Sequence, residues 1–178
     1  MKRICGWLLC AWGLGAVAAG AQESSAFVAS LAGGAAGAFD DESSSGFGHG
    51  VVQAGLGMYT DERTLTVVRV GRLGLGDGLE DAGLLAATLE YANVAGEVRW
   101  RQPAYDFGLY LGVGAYRLEG DRAGLDEEQT ELGAVLGFTG DFDLTRRLSI
   151  VAEADLHYAF FDDVRLYGAT LVGVAVHF

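Results

Sequence analysis

The stretch RLSIVAEADLHYAFF, residues 147–161, decides the fold because its apolar side chains fall on every second position. One face is apolar and consists of Leu148, Ile150, Ala152, Ala154, Leu156, Tyr158 and Phe160. The opposite face is mainly polar and consists of Ser149, Glu153, Asp155 and His157, together with Val151 and Ala159. Because successive side chains of a β-strand point to opposite faces, this period of two predicts a strand with one apolar and one polar surface.

The same alternation recurs along the chain in segments of about ten to fifteen residues, separated by turn-forming residues. The segments span residues 26–38, 47–59, 64–74, 85–101, 105–118, 130–142, 147–161 and 165–178. The hydrophobic content is 51%, yet beyond about the first twenty residues no apolar run is long enough to cross a bilayer as a helix. The sequence therefore predicts an all-β protein whose apolar residues are distributed over strand faces.

The connections between these segments alternate in length. The long connections are residues 40–45, 74–83 and 119–129, and the short ones are 60–63, 102–104, 143–147 and, where a long one is expected, 162–164. Long loops at one end and tight turns at the other are typical of outer-membrane barrels, and eight strands enclose an interior only wide enough for side chains. We therefore predict an eight-stranded antiparallel up-and-down transmembrane β-barrel.

Aromatic residues near the predicted strand ends indicate two interfacial girdles, although aromatic residues also favour strands in general. The girdle at the short-turn end comprises Phe27, Tyr59, Trp100, Tyr105, Phe142 and Phe178. The girdle at the long-loop end comprises Phe39, Phe47, Tyr116, Phe160 and Phe161.

The N-terminal stretch MKRICGWLLCAWGLGAVAAGAQ has the layout of a secretory signal peptide. Lys2 and Arg3 precede an apolar run, and Ala19–Ala21 precedes a polar change. We predict a signal peptide at residues 1–21, cleaved after Ala21, and a mature barrel domain at 22–178; an uncleaved membrane anchor is the alternative.

Cleavage after the leader would change the chemistry of the chain. It removes both cysteines, Cys5 and Cys10, so the mature chain has no thiol for a disulfide, a metal or a nucleophile. Ten arginines then face 24 acidic residues, a formal charge of −14, which makes nucleic acid an improbable partner.

Charged residues on the inner strand faces predict a salt-bridged plug in the lumen. This inward set comprises Arg69, Glu90, Glu97, Arg99, Arg101, Arg117, Glu131, Asp141, Glu153, Asp155 and His157. Six of these residues are predicted to form an inward polar network, namely Arg99, Arg101, Glu131, Glu153, Asp155 and His157. In segment 85–101 the apolar residues change from odd to even positions, so a β-bulge within 93–96 is expected to restore one consistent face.

Two stretches, YDFGLYLGVGAYRLEG (105–120) and LGAVLGFTGDFDLTRRLSIVAEADLHYAFFDD (132–163), resemble the small bacterial outer-membrane barrel proteins related to the transmembrane domain of OmpA. The resemblance implies that the last strand carries an assembly signal, read by the barrel-assembly machinery. The residues that fit this signal are Val172, Gly173, Val174, Val176 and Phe178, whereas Leu171 stands where a polar residue is more typical.

The sequence predicts no catalytic, cofactor-binding or metal site. His157-Tyr158-Ala159 resembles the His-x-Ser pair of outer-membrane lipid A 3-O-deacylases, but Ala159 replaces the nucleophile and leaves His157 nothing to activate. The spacing of His49, His157 and His177 fits no metal motif. Glu153 and Asp155 as an acid-base pair, and acidic loops that bind divalent ions, are weaker alternatives.

These observations predict a monomeric, non-catalytic barrel of the bacterial outer membrane with a structural or surface-interaction role. Its partners would be outer-membrane lipids and lipopolysaccharide, with the assembly machinery during insertion. A narrow pore and a lipid A-modifying enzyme are the alternatives. A soluble lipocalin-type barrel would instead place Arg99, Glu131, Glu153 and Asp155 outward.

Overall fold

The chain forms one closed β-barrel in a computed structural model that describes residues 26–39, 49–76, 85–102, 105–122, 125–161 and 166–178. The strands are β1 Phe27–Phe39, β2 His49–Tyr59, β3 Thr64–Gly76, β4 Leu85–Arg101, β5 Tyr105–Arg122, β6 Leu125–Asp143, β7 Leu148–Ala159 and β8 Leu166–His177. Each strand pairs antiparallel with the next, and the predicted fold is confirmed. Within these ranges no helix is long and apolar enough to span a membrane. The predicted signal peptide lies outside the described residues.

Strand β8 closes the sheet by pairing with β1. The register runs from Val28 opposite His177 to Phe39 opposite Leu166. At the end of this seam the backbone N–H of Phe27 donates to the carbonyl of Phe178 at 2.8 Å, and the reverse bond measures 3.0 Å. Because the sheet is closed, the strands leave no free edge whose backbone groups would lack partners in an apolar solvent.

The two ends of the barrel differ. We call the end at which β2 connects to β3, β4 to β5 and β6 to β7, and at which Phe178 lies, the turn end, and the opposite end the loop end. The predicted loop at 119–129 is wrong, because β5 and β6 keep pairing until Arg122 lies opposite Leu125. This hairpin carries the two longest strands of the barrel, with 18 and 19 residues.

At the turn end, Asp61 organises the connection between β2 and β3. Its carboxylate accepts hydrogen bonds from the backbone N–H groups of Arg63 at 2.8 Å and Thr64 at 2.9 Å. The bond from Arg63 is the main cause of a lowered pKa of the Asp61 carboxyl, because it favours the charged form. An aspartate turn of this kind fixes a short connection between antiparallel strands.

The outer surface of the barrel is strongly apolar. Large hydrophobic side chains stand exposed on every strand, among them Leu31, Leu56, Val70, Val94, Leu111, Leu132, Phe138, Leu156 and Val172. Leu132 is 69% exposed and Leu111 66%, values that would be costly in water over so wide an area. The exterior therefore has the character of a surface built for contact with hydrocarbon.

Aromatic rings form an outer girdle at the turn end. Phe27 stacks on Phe178 with ring centroids 5.9 Å apart, and Trp100 lies 5.8 Å from Phe107. Of the other predicted girdle residues, Tyr59, Tyr116 and Phe161 instead belong to the inner side of the barrel, since their positions have the inward register. At the loop end Phe39 and Phe160 are exposed on the outside, and Phe47 lies outside the described residues.

The predicted bulge in β4 is wrong. Pairing on both sides of β4 is continuous through Asn93, and the register shifts instead lie between Gly74 and Gly76 and between Leu85 and Thr88. From Ala87 to Arg101 the odd-numbered residues of β4 therefore have the inward register, so that Leu89 points into the barrel. The apolar residues of this segment change from odd to even positions because the barrel interior itself changes, from apolar near the loop end to polar near the turn end.

Candidate functional site: the barrel interior

The interior has an apolar half and a charged half. The apolar half lies toward the loop end and includes Leu73, Leu75, Leu89, Tyr91, Tyr116, Leu118, Phe161 and Tyr167. The charged half extends from the middle of the barrel to the turn end, and its buried members include Gln53, Arg69, Glu97, Arg99, Thr139, Asp141, Ser149, Glu153, Asp155 and His157.

Glu97 is the centre of the charged half and is fully buried. One carboxylate oxygen accepts from Arg69 Nη2 at 3.1 Å, and the other accepts from Arg99 Nε at 2.7 Å. The Thr139 hydroxyl also donates to Glu97, at 2.8 Å. A buried carboxylate is tolerated only when paired and hydrogen-bonded in this way.

Arg69 joins this centre to a second carboxylate. Its Nε lies 3.3 Å from Glu153 Oε2, and its guanidinium carbon sits 3.9 Å from the ring centroid of Tyr110. Glu153 also accepts from the Gln53 amide at 2.9 Å, and Gln53 in turn accepts from the Tyr91 hydroxyl at 2.6 Å. The network thus runs across the lumen from β2 to β7 and restrains opposite walls of the barrel.

Asp155 and His157 form a second buried group beside the first. The Tyr110 hydroxyl donates to Asp155 at 3.2 Å, and His157 Nε2 lies 3.2 Å from the other oxygen of the same carboxylate. The Tyr116 hydroxyl lies 3.1 Å from His157 Nδ1. Because the His157 side chain is completely enclosed, this Asp-His-Tyr arrangement has no open face for a substrate.

The predicted network residues separate by depth. Arg99, Glu153, Asp155 and His157 lie together in the buried interior, whereas Arg101 and Glu131 are exposed. Both have the inward register but lie at the two ends of the barrel, where solvent reaches them. The odd or even position of a residue along its strand therefore predicted correctly that it faces the lumen, but not how far it lies from the ends of the barrel.

Two other charged residues predicted to face inward lie on the outer side near the loop end. Glu90 is 4.0 Å from Arg72, and Arg117 is 3.0 Å from Glu128, all with side chains at least 42% exposed. Glu90 faces outward because β4 lacks the predicted bulge, and Arg117 faces outward because it shares the odd parity of the exposed Leu109 and Leu111 on β5. These pairs form a charged rim above the apolar band.

The remaining free space inside the charged half is small. A cavity of about 20 Å³ is lined by Ser30, Arg69, Glu97, Arg99 and Asp141 among others, which is room for about one water molecule. Side chains, rather than solvent, therefore fill this part of the lumen, as expected for eight strands.

Several network members were missed by the sequence reading. Gln53, Tyr110 and Thr139 are uncharged, so they were not recognised as interior partners, although each occupies the inward register of its strand. A search for uncharged polar residues, as well as charged ones, at the inward-facing positions of each strand would have found them. Tyrosine then supplies a hydroxyl to the network and an apolar ring to the wall.

Several solved structures that are similar to this chain are outer-membrane barrels. The chain is similar to Neisserial surface protein A, with 17% identity and a TM-score of 0.70 over 86% of this chain and 98% of that one. It is also similar to the N-terminal barrel domain of Pseudomonas aeruginosa OprF, with 12% identity and a TM-score of 0.63 over 86% of this chain and 98% of that one. A third similar structure is the attachment invasion locus protein Ail of Yersinia pestis, with 15% identity and a TM-score of 0.55 over 85% of this chain and 96% of that one.

At these identities the comparison shows a shared fold. No protein-family model matches the sequence, and no curated protein matches it either. The resemblance to small outer-membrane barrels predicted from the sequence is thereby confirmed for the architecture. Function has to be argued from the interior and the outer surface of this chain.

Proposed function

We propose that the protein is an integral barrel of the bacterial outer membrane with a structural or surface-interaction role and no catalysis. The observation that carries the proposal is the inverted distribution of side chains, with an apolar exterior and a charged, hydrogen-bonded interior. A soluble lipocalin-type barrel has the opposite arrangement, and the burial of Arg99, Glu153 and Asp155 argues against it.

Export by a signal peptide at residues 1–21 and insertion as a monomer belong to the same proposal. A closed sheet with lipids and lipopolysaccharide around it needs no second copy to protect an edge. Fractionation followed by gel electrophoresis tests this: the folded protein should be found in the outer-membrane fraction and migrate differently before and after boiling. Recovery in the soluble fraction without detergent would contradict the proposal.

We further propose that charged side chains close the lumen. The network around Glu97 and Arg69 crosses the barrel, and the apolar half lies above it. A single barrel reconstituted in a planar bilayer should therefore show no stable conductance. Steady, ion-selective channel openings by the purified barrel would favour the narrow-pore alternative instead.

A surface-interaction role would use the β5–β6 hairpin. The hairpin continues strand pairing to Arg122. On one side β4 accompanies it up to Leu85, opposite Asp121, whereas on the other side β7 ends at Ala159, opposite Gly133, so that β6 extends well beyond β7. The Yersinia pestis neighbour is named for attachment and invasion, and a corresponding role for this chain is a proposal supported by the projecting hairpin alone. Shortening the hairpin while the barrel still folds would separate a surface role from a structural one.

A lipid-modifying activity has little support. His157 faces the closed interior, so acyl chains outside the barrel do not reach it, and Ala159 has no hydroxyl. Lipid A from cells that express the protein should have an unchanged mass spectrum.

The assembly signal leads to a prediction at the C-terminus. Phe178 is 59% exposed on the outer surface and stacks on Phe27, whereas His177 has the inward register. We expect Phe178→Asp to reduce the folded, outer-membrane form severalfold, because it puts a charge on the lipid-facing surface and removes the terminal aromatic residue. Heat-modifiable migration measures the folded fraction.

The matched control for Phe178 is the adjacent position. His177→Asp places the same charge on the inner side, where solvent reaches it, so its cost is limited to repulsion from nearby Asp141 and it should reduce the folded fraction less than Phe178→Asp does. Equal losses at both positions would argue against a side-specific signal.

A further inference from the structure

Three potential metal ligands converge at the turn end of the lumen. Asp141 and Asp143 lie two residues apart on one face of β6, and His177 comes from the end of β8. One ligand atom from each of the three side chains lies within 4.8 Å of the others. His177 Nε2 lies 3.6 Å from Asp141 Oδ2.

Asp141 has one oxygen without a partner. Its side chain is 3% exposed, and Oδ2 accepts a hydrogen bond from Arg99 Nη1 at 3.0 Å. Oδ1 is buried and has no hydrogen-bond donor among the described residues. A buried carboxylate oxygen in this state is costly, and a bound ion is one of the few arrangements that satisfies it.

The charge balance around the cluster also favours a cation. The buried charged residues of the described interior are two arginines, four carboxylates and His157, so the carboxylates are in excess. Asp143 adds a further carboxylate at the rim and makes no salt bridge within the part of the chain that the structure describes. Arg101, at the same end, pairs with Asp106 at 3.7 Å instead.

We propose that Asp141, Asp143 and His177 form a binding site for a divalent transition-metal ion of the zinc type. Imidazole nitrogen and carboxylate oxygen are both Zn²⁺ ligands, whereas Mg²⁺ and Ca²⁺ favour oxygen ligands alone, so the histidine favours an ion of the zinc type. Tetrahedral ligands at zinc distances lie roughly 3.4 Å from one another. His177 Nε2 lies 3.6 Å from Asp141 Oδ2, which places the imidazole beside the carboxylate whose other oxygen, Oδ1, is free to bind the ion. The exposed Asp143 side chain can rotate toward the same point.

Ser149 belongs to the surroundings of the site. Its hydroxyl lies 2.9 Å from the same Nε2 atom of His177, and a bound metal would replace this hydrogen bond. The fourth coordination position is then open to water or to the displaced hydroxyl. The site lies at the mouth of the lumen, so the ion has a path from solvent through the exposed side of Asp143.

A metal at this position would tie β6 to β8 across β7. It would fix the end of β8, which carries Phe178 and pairs with β1, to the end of β6. No hydrogen bonds of the sheet join β6 and β8 directly, because β7 lies between them. Because a ligand that binds only the folded state stabilises it by mass action, zinc should raise the unfolding temperature of the barrel.

Isothermal titration with ZnCl₂ tests the site directly. The full chain is used with Cys5 and Cys10 both replaced by serine and without a histidine tag, folded in detergent micelles and freed of metal by chelation. We expect one Zn²⁺ per chain, a higher unfolding temperature on addition of zinc, and a Co²⁺ visible spectrum typical of nitrogen and oxygen ligands. Asp143→Asn and His177→Gln should each weaken zinc binding by more than about tenfold.

Two variants serve as matched controls. Glu62→Gln removes an exposed carboxylate from a different turn at the same end, and His49→Gln removes a histidine at the loop end. Both should bind zinc like the parent chain. Heat-modifiable migration confirms that every variant is folded, so lost binding cannot be attributed to a lost barrel.

The proposal fails if the folded parent chain shows no saturable zinc binding. It fails equally if Asp143→Asn and His177→Gln bind zinc as tightly as the two controls do. Neither result would bear on the membrane location of the barrel, which fractionation tests separately.

Discussion

Replacing Arg69 with methionine is expected to lower the free energy of unfolding by about 3–5 kcal/mol, the usual cost of breaking a buried ion pair by removing one partner. Arg69 is 3% exposed and contacts both Glu97 and Glu153. Its loss would leave one buried arginine among four carboxylates, with no bulk water to screen them. Methionine preserves much of the volume, so the effect reports on charge rather than on a cavity.

The same strand supplies the control for Arg69. Arg72 lies on the outer side of β3, with a side chain 59% exposed and a 4.0 Å contact to Glu90. Because exposed ion pairs contribute little, Arg72→Met should cost less than about 1 kcal/mol. Reversible urea unfolding in micelles measures both variants, and similar losses for the two would contradict a buried network.

A second variant tests whether stranded charge is the cause. In the Arg69→Met background, Glu153→Gln removes one carboxylate that has lost its partner, so it should restore part of the stability. In the parent chain the same substitution should be destabilising, because it breaks the 3.3 Å contact with Arg69. Additive losses in the double variant would indicate that the two residues act independently.

Gly173→Ala is expected to impair closure of the barrel. Gly173 lies opposite Ala32 in the β1–β8 seam, and a methyl group there would overlap the Leu31 carbonyl and the Ala32 backbone. Backbone atoms of a paired strand have little room to move, so we expect a loss of at least about 2 kcal/mol, within the range for overpacking. The folded fraction after refolding into lipid vesicles measures this effect.

Gly96 provides the comparison for Gly173. A methyl group at Gly96 would meet no atom within 4 Å, so Gly96→Ala should be neutral or slightly stabilising through the unfolded state. If both alanine variants fold equally well, close approach at the seam does not explain the glycine. Gly173 also belongs to the predicted assembly signal, so refolding without assembly machinery isolates its packing role.

The strands could be predicted from the sequence because alternation is a local property. From Leu148 to Ala159 every second residue is buried and the residues between them are exposed or half-buried, as the pattern predicts. The prediction for segment 85–101 was wrong because Leu89 and Tyr91 face an apolar part of the lumen, where the inward residues are apolar as well. A bulge was therefore inferred where the strand is regular.

The hairpin between β5 and β6 shows a second limit of the sequence. Residues 119–129 are charged and contain glycine, which is typical of a loop, yet strand pairing continues through most of this range. Pairing between two long strands supplies backbone hydrogen bonds that composition does not reveal.

The interior site was predictable in part. Parity identified Glu153, Asp155 and His157 as inward residues. Glu153 and Asp155 lie near the middle of β7, and His157 is enclosed near its loop end by Tyr91 and Tyr116. Contacts across the lumen, such as Arg69 with Glu153, depend on how closure staggers the strands around the barrel. The proximity of Asp141 to His177 arises in the same way, so no local spacing signals it.

The depth of Trp100 in lipid tests most directly that the apolar exterior faces a membrane. Trp100 is 45% exposed in the turn-end girdle. The other two tryptophans, Trp7 and Trp12, lie in the predicted leader, and for this experiment both are replaced by phenylalanine so that Trp100 alone fluoresces. In vesicles, lipids brominated near the head group should quench its fluorescence more strongly than lipids brominated near the chain ends. Moving the tryptophan to Leu111, in the apolar band, should reverse that order; fluorescence that no brominated lipid quenches would contradict the account.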